Sequence, residues 1–307
     1  MNIVINVTKH DIWFCRICVA SIRFYYPDVK IFLLKDELPG KFSTREIEET
    51  WSVHVIEYPV KRFGMSAAKI HFYCDQRFAG QRFLVLDSDI VFTGRLLDEK
   101  YVEDFNCDVI VSEETFSDPG SEWFKRTYFD CKQLKKYDPN YTYAGFTFNC
   151  GQIFCLGNFI KKETLAPYFS FNGSPSWKRL DVFPMHDQSV LNYLLPQLSK
   201  QGSIQLKGKD FMIWSETKKA RGITLDAVKS GTHYPNLIHW AGALRTPLLV
   251  SMSNKEILLF FENYYYSKIS FARLKRTIRK VNPGIKHLIK LLMLTLRDFP
   301  SKRRTLK

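Results

Sequence analysis

Several things are scarce in this chain, and each scarcity excludes something. No stretch reaches about 18 uninterrupted apolar residues, so no membrane-spanning helix is expected. Met1 to Val7 has no basic start, long apolar core or small-residue cleavage site, so no secretory signal is read there. The seven cysteines are an odd number and are scattered, without the spacing of a disulfide framework. A reducing cytosolic setting follows. Cys15 and Cys18 form a CxxC, but no second Cys or His pair stands at zinc spacing, so both are expected as buried thiols on an apolar helix face. Acid is almost missing from the last 40 residues. Residues 268–307 hold 13 Lys/Arg against one acid, Asp298. Only +2 of the net +14 is left for the other 267 residues. A protein-wide basic charge therefore does not mark a nucleic-acid binder, and no nucleic-acid partner is expected.

What is present is a globular composition, 45% hydrophobic and 25% charged, with 15% aromatics. Strand-like runs alternate with helical ones. Asn2 to Val7 precedes a helix through Ile22, Lys30 to Leu34 precedes a helix over 44–50, and Val53 to Tyr58 precedes a helix over 66–77. Phe83 to Leu86, 109–111, 148–156 and 236–238 are further strands, and 187–198 is a helix. Residues 117–145 read as an irregular insertion. This alternation predicts an α/β fold, a Rossmann-like, doubly wound arrangement with a mostly parallel central sheet. Residues 251–307 are expected as a helical, basic C-terminal extension. Phe271, Leu274, Ile278, Val281, Ile285, Leu288, Leu292 and Leu296 recur at spacings of three and four, and basic residues fill the other face of the first half. Such a segment fits the surface of an anionic membrane. A packing helix with a solvated basic face would show the same pattern.

The most informative stretch is Arg82-Phe83-Leu84-Val85-Leu86-Asp87-Ser88-Asp89-Ile90-Val91-Phe92. A buried strand ends in two carboxylates at i and i+2, and apolar residues resume at once. Carboxylates are rarely buried unless paired or metal-bound. The tip of such a strand is where open α/β sheets bind ligands. Asp87 and Asp89 can face one cation, and hard oxygen donors suit Mg²⁺ or Mn²⁺ carrying phosphates. Alone, the pair reads sooner as a polar turn that ends a strand, since so short a motif recurs by chance. Three later segments go with it: Phe148-Asn149-Cys150-Gly151, Asp187-Gln188-Ser189-Val190-Leu191-Asn192, and His239-Trp240-Ala241-Gly242-Ala243-Leu244-Arg245-Thr246-Pro247.

Together and in this order, over roughly residues 1–250, these motifs resemble the family eight retaining glycosyltransferases of GT-A fold. That family includes bacterial lipopolysaccharide α-galactosyl- and α-glucosyltransferases and, more distantly, glycogenin. The resemblance implies a metal-dependent hexosyltransferase acting on a nucleotide-diphosphate sugar, UDP-galactose or UDP-glucose, in cell-surface polysaccharide synthesis. It implies Asp87, Asp89 and His239 as ligands of Mn²⁺ or Mg²⁺, and Asp187 and Gln188 as the catalytic pair. Asn6, Thr8, Lys69, Ser88, Asn149, Gly242 and Arg245 are the donor contacts it implies. The implied acceptor is a glycan or lipid-linked glycan. Several bacterial members end in a basic, aromatic-rich segment that holds the enzyme on the membrane. Tyr264-Tyr265-Tyr266 and residues 268–307 resemble that arrangement, which implies a cytoplasmic protein peripheral to the inner face of the cell membrane.

The pattern departs in three places. Ser189 stands where the family has a second Asp, Arg245-Thr246-Pro247 replaces a Lys-Pro ending, and Asn6-Val7-Thr8-Lys9 lacks the acid that reads uracil, with Asp11 coming later. An inverting GT-A enzyme, another nucleotide donor, and an inactive membrane-associated scaffold are the alternatives. No Gly-rich phosphate loop follows the first strand, which argues against a sugar-phosphate nucleotidyltransferase.

Overall fold

The computed structural model describes residues 1–64, 66–98, 107–114, 118–172, 177–231, 236–242 and 252–279. Ten strands are present among them: β1 Asn2–Thr8, β2 Ile31–Asp36, β3 Val53–Val55, β4 Arg82–Asp87, β5 Ile90–Phe92, β6 Val109–Glu114, β7 Thr147–Leu156, β8 Leu206–Lys209, β9 Met212–Trp214 and β10 Leu237–His239. Seven form the main sheet in the order β3-β2-β1-β4-β7-β6-β8, and β5-β10-β9 form a second, small sheet.

The main sheet is mostly parallel, as its alternating sequence predicts. β1 pairs in parallel with β2 and β4, and β6 with β8, while β7 runs antiparallel to β4 and β6. Successive side chains of a strand point to opposite faces. Ile3, Ile5, Leu84 and Leu86 therefore join the core beneath the Ile12–Tyr25 and Lys255–Ser267 helices. Val4, Phe83 and Val85 join the core beneath the Ala67–Tyr73 and Asp187–Lys200 helices. Covering both faces requires strands that are apolar throughout, which is why Phe83–Leu86 reads as one unbroken run. Cys15 and Cys18 lie in the first of these cores as free thiols, and burial pushes Cys15 up to about 12.

Two local expectations are revised. The helix expected over 66–77 stops at Tyr73, and Asp75 caps a short 3-10 turn over Gln76–Phe78 by accepting from the Arg77 N–H. The insertion expected to be irregular carries two short helices, Glu122–Thr127 and Cys131–Tyr137. Ser121 and Asp130 satisfy their first free N–H groups, and Phe124 and Leu134 anchor them by burial.

The aromatic run near the C-terminus is turned inward. Tyr265 stacks on Trp51 at 5.5 Å and 22°, and Phe24 sits among Phe260, Phe261 and Tyr264. Residues 272–279 form a further helix whose basic side chains reach back to the body. Arg279 pairs with Glu46 at 2.8 Å, Lys275 pairs with Glu46 at 3.4 Å, and Arg276 pairs with Glu262. Phe271, Leu274 and Ile278 are exposed. Residues 280–307, the rest of the basic amphipathic segment, lie outside the described residues. Among the described residues, no helix is long and apolar enough to cross a membrane.

Glu46 also accepts from the Tyr265 hydroxyl at 3.0 Å and lies 3.6 Å from Arg16. Burial works against its charge, but Arg279, Tyr265 and Arg16 outweigh it and hold the carboxyl down at about 2. A carboxyl depressed on folding stabilises above its ordinary pKa and loses that contribution as pH falls towards the folded value. Glu46→Gln is therefore expected to cost about 1–2 kcal/mol at pH 7, discounted for solvent screening. In urea unfolding, the gap to the native chain should narrow steadily as pH falls from about 5 towards about 2.

Candidate active site

The strands β4 and β5 are joined by a turn at which the chain passes from the main sheet to the small one. Asp87 ends β4, Ser88 is buried in the turn, and Asp89 immediately precedes β5. β10 lies against β5, with His239 opposite Ile90, and the Trp240 N–H donates to the Asp89 carbonyl at 3.0 Å. A backbone ladder thus brings His239 to the carboxylates although some 150 positions separate them in sequence. His239 Nε2 is 3.2 Å from Asp89 Oδ1, and one ligand atom from each of Asp87, Asp89 and His239 lies within 4.8 Å of the others.

Two carboxylates and an imidazole form a donor set suited to Mn²⁺, which takes both oxygen and nitrogen. His239 Nδ1 is buried without a hydrogen-bond partner, so the ring keeps an unused nitrogen. The small adjustment that a shared ion needs is within side-chain freedom. The three residues fit the metal that the sequence motifs imply. Burial opposes the Asp89 charge, yet His239 and Lys69 lower its pKa overall. Asp87 is raised, because burial and its neighbours Asp89 and Asp187 outweigh Lys69.

Lys69 is the centre of the other half. It leaves the Ala67–Tyr73 helix almost fully buried, at 1% exposure. Its Nζ meets Asp87 Oδ1 at 2.9 Å and Asp187 Oδ2 at 3.0 Å, and donates to the Cys150 carbonyl at 2.8 Å. Two of its protons have hydrogen-bond acceptors, Asp87 and the Cys150 carbonyl, and Asp187 adds an ion pair. Burial works against the charge, but Asp187 and Asp87 together raise its pKa above the ordinary lysine value. Three segments distant in sequence are joined at one cation.

β7 explains the remaining motif residues. A register shift between Val111 and Glu113 leaves Asn149, Cys150 and Gly151 out of the ladder with β6. The pairing with β4 extends only to Gln152. The freed backbone groups need partners, and the Asp187–Lys200 helix supplies them. Gln188 Oε1 accepts from the Cys150 N–H at 2.7 Å and its Nε2 donates to the Phe148 carbonyl. Asn192 accepts from the Phe148 N–H and donates to the Phe148 carbonyl, both at 2.8 Å. Asn149 Oδ1 accepts from the Gly151 N–H at 2.8 Å. Any Cβ at Gly151 would stand 2.5 Å from His239 Cε1 and 2.6 Å from Asn149 Oδ1, so only glycine lets β7 pass this close to the imidazole.

The other expected residues are placed as follows. Asn6 lies at the same edge, in register with Asp87, with an unpartnered buried Oδ1. Thr8 ends β1 and donates to Asp11 at 2.6 Å. Gly242 has φ +70 and open space where a Cβ would be, so its left-handed backbone is what calls for glycine. Arg245 lies outside the described residues. Sequence reading missed Trp214, which stacks on His239, and Glu114 and Tyr128 behind it. A short Met-Ile-Trp run carries no signal that it will lie beside a metal-ligand candidate.

No protein-family model matches the sequence, and no curated protein matches it. Solved structures do resemble it. The apo structure of the bifunctional glycosyltransferase WbbM matches with a TM-score of 0.58 at 12% identity, over 92% of this chain and 52% of WbbM, so this chain spans about half of that protein. The galactosyltransferase LgtC, in complex with donor and acceptor sugar analogues, matches with a TM-score of 0.52 at 12% identity, over 87% of this chain and 96% of LgtC. At such identity the likeness is one of architecture, and the chain has the GT-A fold of these glycosyltransferases.

Proposed function

We propose that this protein is a metal-dependent glycosyltransferase that moves a hexose from a nucleotide-diphosphate sugar to a glycan or glycolipid acceptor. The observation that carries this reading is the meeting of Asp87, Asp89 and His239 at the edge of a GT-A sheet, with Asp187 and Gln188 on the far side of Lys69. A bound Mn²⁺ or Mg²⁺ would neutralise the diphosphate as the glycosidic bond breaks. Asp87, Asp89 and His239 would hold that ion. Asn6, Thr8 and Ser88 stand at the same edge to receive the donor, which we take to be UDP-galactose or UDP-glucose. Gly242 would let the backbone approach the diphosphate closely, and Arg245 would supply a cation for the departing phosphate. Asn149 and Asp187 would hydrogen-bond sugar hydroxyls.

Gln188 is a poor nucleophile, and both ends of its amide already bind the β7 backbone. A fixed amide dipole of this kind supports a same-face, retaining route over a covalent one. Lys69 would act here by pairing with Asp87 and Asp187 and holding them in place rather than by touching the donor. The acceptor would be lipid-linked, as in lipopolysaccharide synthesis. The basic segment 268–307 would rest on the anionic inner face of the cell membrane, each free cation near it contributing about 1 kcal/mol. Lys275, Arg276 and Arg279 are engaged by Glu46 and Glu262, so the cations beyond them would supply that attraction.

Four results are expected. With a panel of nucleotide sugars, Mn²⁺ should permit release of nucleoside diphosphate and EDTA should abolish it. Asp89→Asn and His239→Ala should each lower that release at least about a hundredfold. Full activity in EDTA would sink the metal reading. Lys69→Met should cost about 3 kcal/mol or more in unfolding experiments, since it leaves Asp87 and Asp187 buried without their cation. The full chain should sediment with vesicles containing phosphatidylglycerol at low salt and be released at about 0.5 M NaCl, where charges are screened within a few ångströms. Equal binding to neutral vesicles would remove the electrostatic account.

A further inference from the structure

An imidazole that ligates a metal is ordinarily oriented by a carboxylate or carbonyl bonded to its second nitrogen. Among the described residues His239 has no such partner on either nitrogen: Nδ1 is buried and unbonded, and the carboxylate at Nε2 is Asp89, itself a ligand candidate. A flat ring takes that place. Trp214 and His239 are register partners on the parallel strands β9 and β10, so their side chains leave the small sheet on the same face. The indole lies on the imidazole with centroids 5.3 Å apart and planes 15° from parallel.

The indole is itself held. Its Nε1–H donates to Glu114 Oε1 at 2.6 Å, and Glu114 Oε2 accepts from the Tyr128 hydroxyl at 2.6 Å. Glu114 stands at the end of β6, just past the register shift that exposes the β7 backbone. The Tyr128 carbonyl accepts from the Ser189 hydroxyl, whose oxygen also accepts from the Met185 N–H at 2.8 Å. Ser189 is in the first turn of the helix that carries Asp187 and Gln188. A continuous path of bonds and contacts therefore runs Ser189–Tyr128–Glu114–Trp214–His239. It joins the two halves of the site on the side away from Lys69.

We infer that Trp214 and Glu114 are positioning residues for His239: Glu114 fixes the indole, and the indole fixes the plane of the imidazole. This rests on the metal reading above. The arrangement orients the ring through its face rather than through a hydrogen bond to a ring nitrogen, with the Glu114 carboxylate behind the indole. It also gives Ser189 a place. Where the resembled family has an acid, a hydroxyl here anchors Tyr128, and Tyr128 anchors Glu114.

The test has two readouts, neither of which is turnover. In the first, Mn²⁺ is titrated into the full chain without donor, and free Mn²⁺ is followed by electron paramagnetic resonance. Trp214→Ala is expected to weaken Mn²⁺ binding about 10- to 100-fold, the range for loss of an orienting partner. Trp214→Phe, which keeps a flat ring, and Glu114→Gln, which keeps an acceptor for the indole and a partner for Tyr128, are expected within about threefold of the native chain. Glu114→Leu should fall between. In the second, the His239 ring protons are followed by NMR without metal. They should show the upfield ring-current shift of a stacked indole, and Glu114→Leu should reduce it. Unchanged Mn²⁺ affinity in a folded Trp214→Ala chain, or an unchanged His239 shift in Glu114→Leu, overturns the assignment. Native chain that binds no Mn²⁺ but shows the shift overturns the metal reading and the ligand-positioning role with it, while the stacked geometry stands.

Discussion

The Lys69 ammonium is the interaction on which the rest of the site depends. A charge this deeply buried is costly unless it is paired and hydrogen-bonded. Here one cation donates to β4 and to the β7 backbone and forms an ion pair with the Asp187–Lys200 helix. None of the three can move alone without leaving a charge or a proton unpaired in the interior. Without Lys69, the half-buried Asp87 and the buried Asp187 would be neighbouring carboxyl groups with no cation between them. With it, both face one ammonium. The metal-ligand candidates and Asp187 are thus kept at a set separation by a residue that is itself almost inaccessible.

The second constraint is the exit of the chain from one sheet into another at Asp87-Ser88-Asp89. A strand that simply continued would keep alternate residues on fixed faces of the main sheet. The switch to β5 instead lets β10 pair alongside, and that pairing delivers His239 and, one strand further, Trp214. The same economy governs β7. Its backbone is unpaired where the cleft opens, and Gln188 and Asn192 fill the gap with side-chain amides. Residues that look catalytic in a motif are therefore also structural, so a loss of activity on mutating them has two physical sources.

Much of this was legible beforehand, and for identifiable reasons. Phe83–Leu86 is apolar on both faces because both faces are covered, so the run announces a central strand. Asp87 and Asp89 stand where an apolar strand ends, and the abrupt change of chemistry marks the edge. Asp187 and Gln188 open a helix whose apolar positions recur at helical spacing. The insertion was less legible, because its two short helices depend on caps and on single anchors such as Phe124 rather than on a sustained period. The C-terminal tyrosines were legible only in part. An aromatic run beside a basic one fits a membrane surface, yet Tyr264, Tyr265 and Tyr266 pack on Phe24, Trp51 and each other.

By itself the sequence determined the α/β class, the central strands and the membership of Asp87, Asp89 and His239 in one candidate set. Hydrophobic period and motif order are local properties, and a chain carries them without folding. Only the tertiary structure decided that Lys69 lies buried between two carboxylates rather than on a solvated face. It alone decided that Glu46 engages basic residues of the C-terminal helix, and that an indole stacks on the imidazole of His239. Those are contacts between segments far apart in the chain, and their partners are chosen by strand pairing and packing, which no single stretch of residues encodes.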